Sequence, residues 1–242
     1  MTGDYNDHGV WESTLQSNKD IMVRTFTSMT SVFGNIPIYP SFGNHEANPT
    51  NQFAPWSIDN PNLSTRSLYE HAANTWYWLP ESAKETLRFG GYYTALVRPG
   101  LRVIVLNNCD CYTSNWWLLY DITYPAVQLN WLYETLLAAE ANNEKAHILS
   151  HMPTGAGDYY KVCSREYVRI VERFWNTISA QFNGHTHQDR FNLFYARSNR
   201  NVPINVAWNG GSATTFSNVN PNYRVLSVEP VTYVSSHNNH IV

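Results

Sequence analysis

The sequence predicts a layered α/β (α+β) fold, and three observations predict it. Stretches with apolar residues at helical spacing alternate with short apolar runs of strand length. The last third of the chain is rich in such runs. Several runs end in loops carrying His, Asn or Asp, and in open sheets the loops beyond the strand ends gather at one crevice. No repeat, low-complexity tract or Gly/Ser linker divides the chain, so residues 1–242 read as a single domain.

Leu15, Met22, Phe26, Met29 and Phe33 mark a helix that stops at Gly34-Asn35. Ile36 to Phe42 is a short apolar run with two prolines, read as a strand feeding Gly43-Asn44-His45-Glu46. Ser67 to Trp78 is read as helical, with a stop at Pro80. Tyr92 to Val97 and Leu101 to Leu106 flank Pro99-Gly100 as a β-hairpin. Thr123 is read as the cap of the next helix, which packs Leu129, Leu132, Leu136 and Leu137 inward. Ala146 to Ser150 is a strand running into His151-Met152-Pro153, and a helix follows over roughly Arg165 to Asn176. The strand Ile178 to Phe182 ends at Asn183-Gly184-His185-Thr186-His187. Phe191 to Tyr195, Ile204 to Trp208 and Tyr223 to Val228 complete the strands.

Composition narrows the function. Hydrophobic residues make up 43% of the chain and aromatic residues 14%, ample for a core. Charged residues are only 14%, against about a quarter in an average soluble domain. That balance suits a secreted or lumenal protein. A formal charge of −3 argues against nucleic acid or another polyanion as partner. No apolar run approaches the roughly 18 residues of a membrane span, and Met1-Thr2-Gly3-Asp4 has no leader character. Cys109 and Cys111 are too close to bridge comfortably in an extended segment, so Cys163 would partner one of them; three reduced thiols is the other reading. Asn62-Leu63-Ser64 is a glycosylation sequon.

Four short stretches carry the chemistry: Gly3-Asp4 with His8, Gly43-Asn44-His45-Glu46, His151, and Gly184-His185-Thr186-His187. A histidine taken alone is more often a surface or core residue. Together, each near a glycine or a strand end, these residues point to one site, because glycine lets the backbone turn a side chain into a crevice. A carboxylate, an amide oxygen and several imidazoles suit Zn, Mn or Fe better than Ca or Mg. A carboxylate can also bridge two cations, and a pair about 3.5–4 Å apart clamps a phosphoryl group for in-line attack.

Gly-Asp, Gly-Asn-His-Glu, a lone strand-end His and Gly-His-Thr-His, in that order, resemble the motifs of calcineurin-like metallophosphoesterases. Within them the chain is similar to the acid sphingomyelinase branch along almost its whole length. Matching stretches are Thr2-Gly3-Asp4 to His8 with Val10-Trp11, Ile38-Tyr39-Pro40, Ser67-Leu68-Tyr69-Glu70 and Trp116-Trp117-Leu118-Leu119. Arg169-Ile170-Val171, Ser212-Ala213-Thr214-Thr215, Asn220-Pro221 and Tyr223-Arg224-Val225 extend the match.

The resemblance implies a β-sandwich flanked by helices and two Zn2+ sites. Asp4 would bridge them, Asn44, His151 and His185 would complete the second, and His187 would bind the first. It makes His45 the general acid and gives His8 the phosphoryl oxygens to orient. It places Asn62 at a glycan position and Cys111 at a disulfide position, with Cys163 slightly displaced from the other. It implies a secreted or lysosomal protein that acts on sphingomyelin at a membrane surface, releasing ceramide and phosphocholine. Trp116, Trp117 and Tyr112 would line a route for lipid or the choline cation, or simply pack.

The resemblance also implies an upstream Asp-x-His motif and a helical C-terminal region. No such motif precedes Asp4, so the first metal site reads as incomplete, and the chain as a fragment lacking its first strand. Such a fragment, with an open sheet edge, is expected to be poorly soluble or inactive. Asp7 and His240 are the nearest substitutes, one a loop residue and the other a tail residue. A nucleotide phosphodiesterase and a catalytically silent binding protein are the competing functions. Oligomeric state is not readable from the sequence.

Overall fold

The computed structural model describes residues 1–237. Its centre is a six-stranded sheet in the order β1-β2-β3-β4-β6-β5. The strands are β1 (Tyr93–Arg98), β2 (Leu101–Val105), β3 (Lys145–Leu149), β4 (Ile178–Asn183), β5 (Arg190–Tyr195) and β6 (Pro203–Asn209). β2, β3, β4 and β6 run parallel, while β1 and β5 are antiparallel edges. The C-terminal ends of the four parallel strands therefore open on the same side.

The two faces of the sheet are covered differently. Ile104, Ala146, Ile148 and Ile178 pack against α5 (Ala126–Ala141) and α6 (Lys161–Arg173) through Leu132, Leu136, Tyr167 and Val171. On the other face, Val103 and Val105 meet an aromatic core built by α1 (Leu15–Phe33), α2 (Arg66–Thr75) and α3 (Glu81–Gly90). Phe26, Phe42 and Trp76 lie at its centre, each 2% exposed or less. Farther along that face sits a second, smaller β layer, the ribbon β7 (Leu226–Val228) and β8 (Ser235–His237). Trp208 Nε1 donates to Ser235 Oγ, and His147 Nε2 lies 2.7 Å from Tyr233 O. Helix–sheet–(helix plus ribbon) is the layered arrangement expected.

The structure corrects several local expectations. Ile36 to Phe42 is not a strand, because Pro37 and Pro40 have no N–H to give a ladder. Ser41 N instead donates to Met1 O. Thr123 does not cap α5: Pro125 holds that position, and Thr123 donates its hydroxyl to Asp121 Oδ1. Leu137 lies on the outer side of α5, and the buried row is Gln128, Leu132, Leu136 and Ala139. α2 ends at Thr75, short of the expected stop, and Pro80 instead stands at the start of α3, where a missing N–H costs nothing. α6 begins and ends a few residues earlier than expected, which brings Cys163 into its first turn. Of Tyr223 to Val228, only the last three residues pair as strand.

Candidate metal centre

His151 lies two residues beyond β3 and His185 two beyond β4, so both reach the crevice at the parallel strand ends. Asn108, in a short turn after β2, accepts from the backbone N–H of His151 and Met152 at 3.1 and 3.0 Å. That contact fixes where His151 starts. Asp4 and Asn44 arrive from the other side, on loops packed over the aromatic core. Glycine makes the approach feasible: a Cβ on Gly43 would overlap Asp4 Oδ1, and one on Gly3 would overlap Gly43 N. Asp4, His185 and His187 all adopt left-handed backbone, with φ of 55°, 66° and 58°. Such conformations in non-glycine residues persist where surrounding structure imposes them, often at functional sites.

The side chains converge. His151 Nε2 lies 3.1 Å from Asp4 Oδ2 and 3.0 Å from Asn44 Oδ1. His185 Nδ1 lies 3.2 Å from both Asn44 Oδ1 and His151 Nε2. Each group has its outer atom already committed. Asn44 Nδ2 donates to Asn51 Oδ1 at 2.8 Å, so its oxygen faces inward. His151 Nδ1 faces the carbonyl of Thr2, which can only accept, and must carry its proton there. His185 Nε2 donates to Asp158 Oδ2 at 2.9 Å. With His151 neutral, two imidazole lone pairs, an amide oxygen and a carboxylate oxygen thus meet at one point; a protonated His151 would instead give its Nε2 proton to Asp4, so proton and cation compete for the same place. A divalent cation fits that donor set, and the outer partners are of the kind that orient metal-bound histidines.

Electrostatics agree. Burial would raise the Asp4 carboxyl, but His151 and His45 outweigh it and hold Asp4 well below the usual range. Burial would lower His151, yet Asp4 beside it raises it, the same pull a cation at that point would feel. Burial and then the neighbouring His151 lower His185. Glu46 clamps the loops from behind, accepting from the N–H groups of Asp4, Tyr5 and Gly43 at 3.0, 2.7 and 2.6 Å. Burial and the Asp4 carboxylate push Glu46 up to about 7 against those bonds.

The remaining predicted residues form a second cluster, of which His8 and His187 line the same cavity and His45 packs behind His8. His45 Nδ1 faces Asp7 O at 2.9 Å and Asn6 O at 3.2 Å, which turns Nε2 toward Asp4 Oδ2, 3.8 Å away. His8 stacks on Phe216 at 3.5 Å and meets His45 and His187 edge-on at 4.5 and 5.0 Å between ring centroids. Burial, then His45, lowers His8. His187 therefore stands beside His8, outside the tight Asp4–His151–His185 group. The cavity measures about 800 Å³.

Asn51, Asp158, Asn108 and Phe216 were not found by sequence reasoning. None lies in a motif, and only a map of which atoms face the ligands reveals them. The disulfide joins Cys111 to Cys163 with Cα atoms 6.2 Å apart, and Cys109 is free and buried. Asn62 is exposed, as a glycan acceptor must be. Asp7 sits on a surface loop, holding Gly9 N and His45, and His240 lies outside the described residues. Tyr112 meets the His185 ring at 5.6 Å, whereas Trp116 and Trp117 wall a separate recess. No helix among the described residues is long and apolar enough to cross a membrane.

A mixed sheet with two histidines just beyond its parallel strand ends, met by a carboxylate and an amide from facing loops, is a scaffold suited to a divalent cation. The chain belongs to the calcineurin-like phosphoesterase family, whose profile matches residues 1–189. It is 44% identical to a sphingomyelin phosphodiesterase of Bos taurus and to one of Homo sapiens, over 98% of this chain and 37% of each relative. A cyclic GMP-AMP phosphodiesterase of Homo sapiens is 31% identical over 96% of the chain and 52% of that protein. The chain thus spans little more than a third of the sphingomyelin phosphodiesterases it matches. In fold it is similar to a dimetal phosphatase from Danio rerio, with TM-score 0.53 and 13% identity over 81% of this chain and 68% of that one. A PhoD structure gives TM-score 0.52 and 13% identity over 84% and 45%.

Proposed function

We propose that the chain hydrolyses phosphodiesters, with sphingomyelin as substrate and ceramide and phosphocholine as products. The observation that carries the proposal is the convergence of Asp4, Asn44, His151 and His185 on one point. Zinc is the proposed metal, because imidazole-rich sites with one carboxylate favour it. A cation held there supplies Lewis-acid polarisation of the phosphoryl group and of the attacking water.

The protein's own residues supply the rest. His45, anchored through Nδ1, presents Nε2 to the leaving oxygen and delivers a proton from it. His8, packed edge-on against His45, donates a hydrogen bond to a non-bridging phosphoryl oxygen. His187, beside His8 and outside the tight group, would join Asp4 in holding a second cation. The disulfide and the exposed Asn62 sequon support a secreted or lysosomal setting.

The test is zinc content by mass spectrometry together with turnover of sphingomyelin and of nucleotides. Stoichiometric zinc, with sphingomyelin cleaved and activity lost in Asp4→Asn, is expected. Protein that is folded, takes up no zinc and cleaves no phosphodiester defeats the proposal. The likeness to a cyclic GMP-AMP phosphodiesterase favours a second reading, a nucleotide substrate, and faster nucleotide turnover would establish it.

A further inference from the structure

The histidines of the site are held in two different ways. His45, His151 and His185 each commit one ring nitrogen to protein oxygens: the carbonyls of Asn6 and Asp7, the carbonyl of Thr2, and the Asp158 carboxylate. Such a bond fixes both the tautomer and the angle of an imidazole. Among the described residues, His8 and His187 have no hydrogen-bond partner for either ring nitrogen. A cation would orient His187, but His8 is assigned only to the substrate. A ring turning freely about its side-chain bonds would face a phosphoryl oxygen only part of the time.

Phe216 supplies the missing restraint. Its ring lies flat on His8, with centroids 3.5 Å apart and planes 8° apart, and meets His187 edge-on at 5.9 Å. Phe216 is 49% exposed, too open to be explained as core. Ser217 and Asn218, directly after it, adopt left-handed backbone with φ of 69° and 59°, and Asn218 N donates to Thr215 O at 3.0 Å. Phe216 therefore sits in a tight turn whose unusual backbone the surrounding structure imposes.

The loop around that turn is itself anchored. Asn222 N donates to Ser212 O at 2.8 Å and pinches its ends together. On either side it is tied to the turn that carries His187. Asn209 Nδ2 donates to Gln188 O at 2.9 Å before the loop, and Arg224 pairs with Asp189 after it. The loop thus carries Phe216 from the strand-end side of the site across to His8.

We propose that Phe216 is a positioning residue, whose ring holds His8 in the orientation that phosphoryl transfer needs. The phenyl ring has no proton to give and acts through His8. The proposal rests on the phosphodiesterase reading for the reaction, and on the ring geometry alone for the contact.

The first measurement is the ring-proton NMR spectrum of protein carrying isotope-labelled histidine, with His8 assigned by its loss in His8→Ala. A stacked phenyl ring shields the protons beneath it. The His8 signals are expected upfield in the parent, near unstacked positions in Phe216→Leu, and upfield again in Phe216→Tyr. The second measurement is turnover of the soluble diester bis-para-nitrophenyl phosphate. Phe216→Leu is expected to lower kcat roughly tenfold and leave KM within about twofold, because a misaligned donor costs rate more than ground-state binding. Phe216→Tyr should restore kcat. In the His8→Ala background the Phe216→Leu loss should not multiply, since the group it acts through is gone.

His8 signals that stay in place in Phe216→Leu overturn the proposal, and so do losses that multiply in the double variant. Folded protein whose His8 signals move as expected but which cleaves no diester upholds the orienting contact and defeats the phosphodiesterase reading instead.

Discussion

Replacing Asp158 by alanine removes the acceptor that fixes the His185 ring. His185 Nε2 donates to Asp158 Oδ2 at 2.9 Å, and that bond keeps the Nδ1 lone pair on Asn44 and His151. Losing such an outer partner costs about 10–100-fold in metal affinity, or about 1.4–2.7 kcal/mol. The His185 side chain is only 15% exposed but Asp158 is 42% exposed, so water replaces part of the lost bond. The expected loss is therefore at the low end, about tenfold. Asp158→Asn keeps an oxygen at the same point without the charge and should fall between the two. The assay is competition for zinc against a chelator of known affinity, with thermal melting of the metal-free protein as control. Asp59→Ala, which breaks an exposed pair with Arg66, should change neither. Unchanged zinc affinity in a folded Asp158→Ala protein would refute the claim that this bond orients a ligand.

Asn51→Gly removes the acceptor for Asn44 without straining a residue at φ 70°, and turnover should fall by about tenfold with little change in melting temperature. Cys163→Ser opens a loop spanning 52 residues of sequence and should cost about 2–4 kcal/mol in chemical denaturation. Asp110, fully buried beside Gln128, has its carboxyl pushed well above its ordinary value of 3.8 by burial. The folded state then holds a proton that the unfolded state has released, so stability is full below that value and declines as pH rises toward the folded pKa. Denaturation at a series of pH values should show that decline, and Asp110→Asn should flatten it.

Much of this was legible in the sequence, for identifiable reasons. The strands that feed His151 and His185 are short segments in which apolar residues alternate with polar ones, Ala146 and Ile148 in one and Ile178, Ala180 and Phe182 in the other, a period that reads as strand. The Gly-Asn-His-Glu loop was legible because its glycine and its ligands are adjacent in the chain. Ile36 to Phe42 misled because apolarity alone does not distinguish a paired strand from a buried, prolyl-broken segment. Thr123 misled because a hydroxyl before a helix has other uses, here Asp121. Asn51, Asp158 and Phe216 were illegible in principle. Their importance lies in side-chain direction across 7, 27 and more residues of chain, which no local spacing encodes.

The distribution of donors has a consequence for how binding and folding are linked. Asp4 and Asn44 belong to loops anchored on the aromatic core, with Asn18 Nδ2 donating to the carbonyls of His45 and Glu46 from α1. His151 and His185 belong to the sheet, and Asn108 and Asp158 hold them from that side. The Asp4–His151 and Asn44–His185 contacts thus close loops of well over a hundred residues. A cation gripping all four bridges the two halves, and its affinity adds to the stability of the folded state because the unfolded chain cannot present the same cage. The glycines at Gly3 and Gly43 let the halves approach, the buried Glu46 ties the loops together, and a bound cation would fix their spacing. Catalytic geometry and the closure of the fold are then the same requirement, which is why the site's outer partners are shared so evenly between the loops and the sheet.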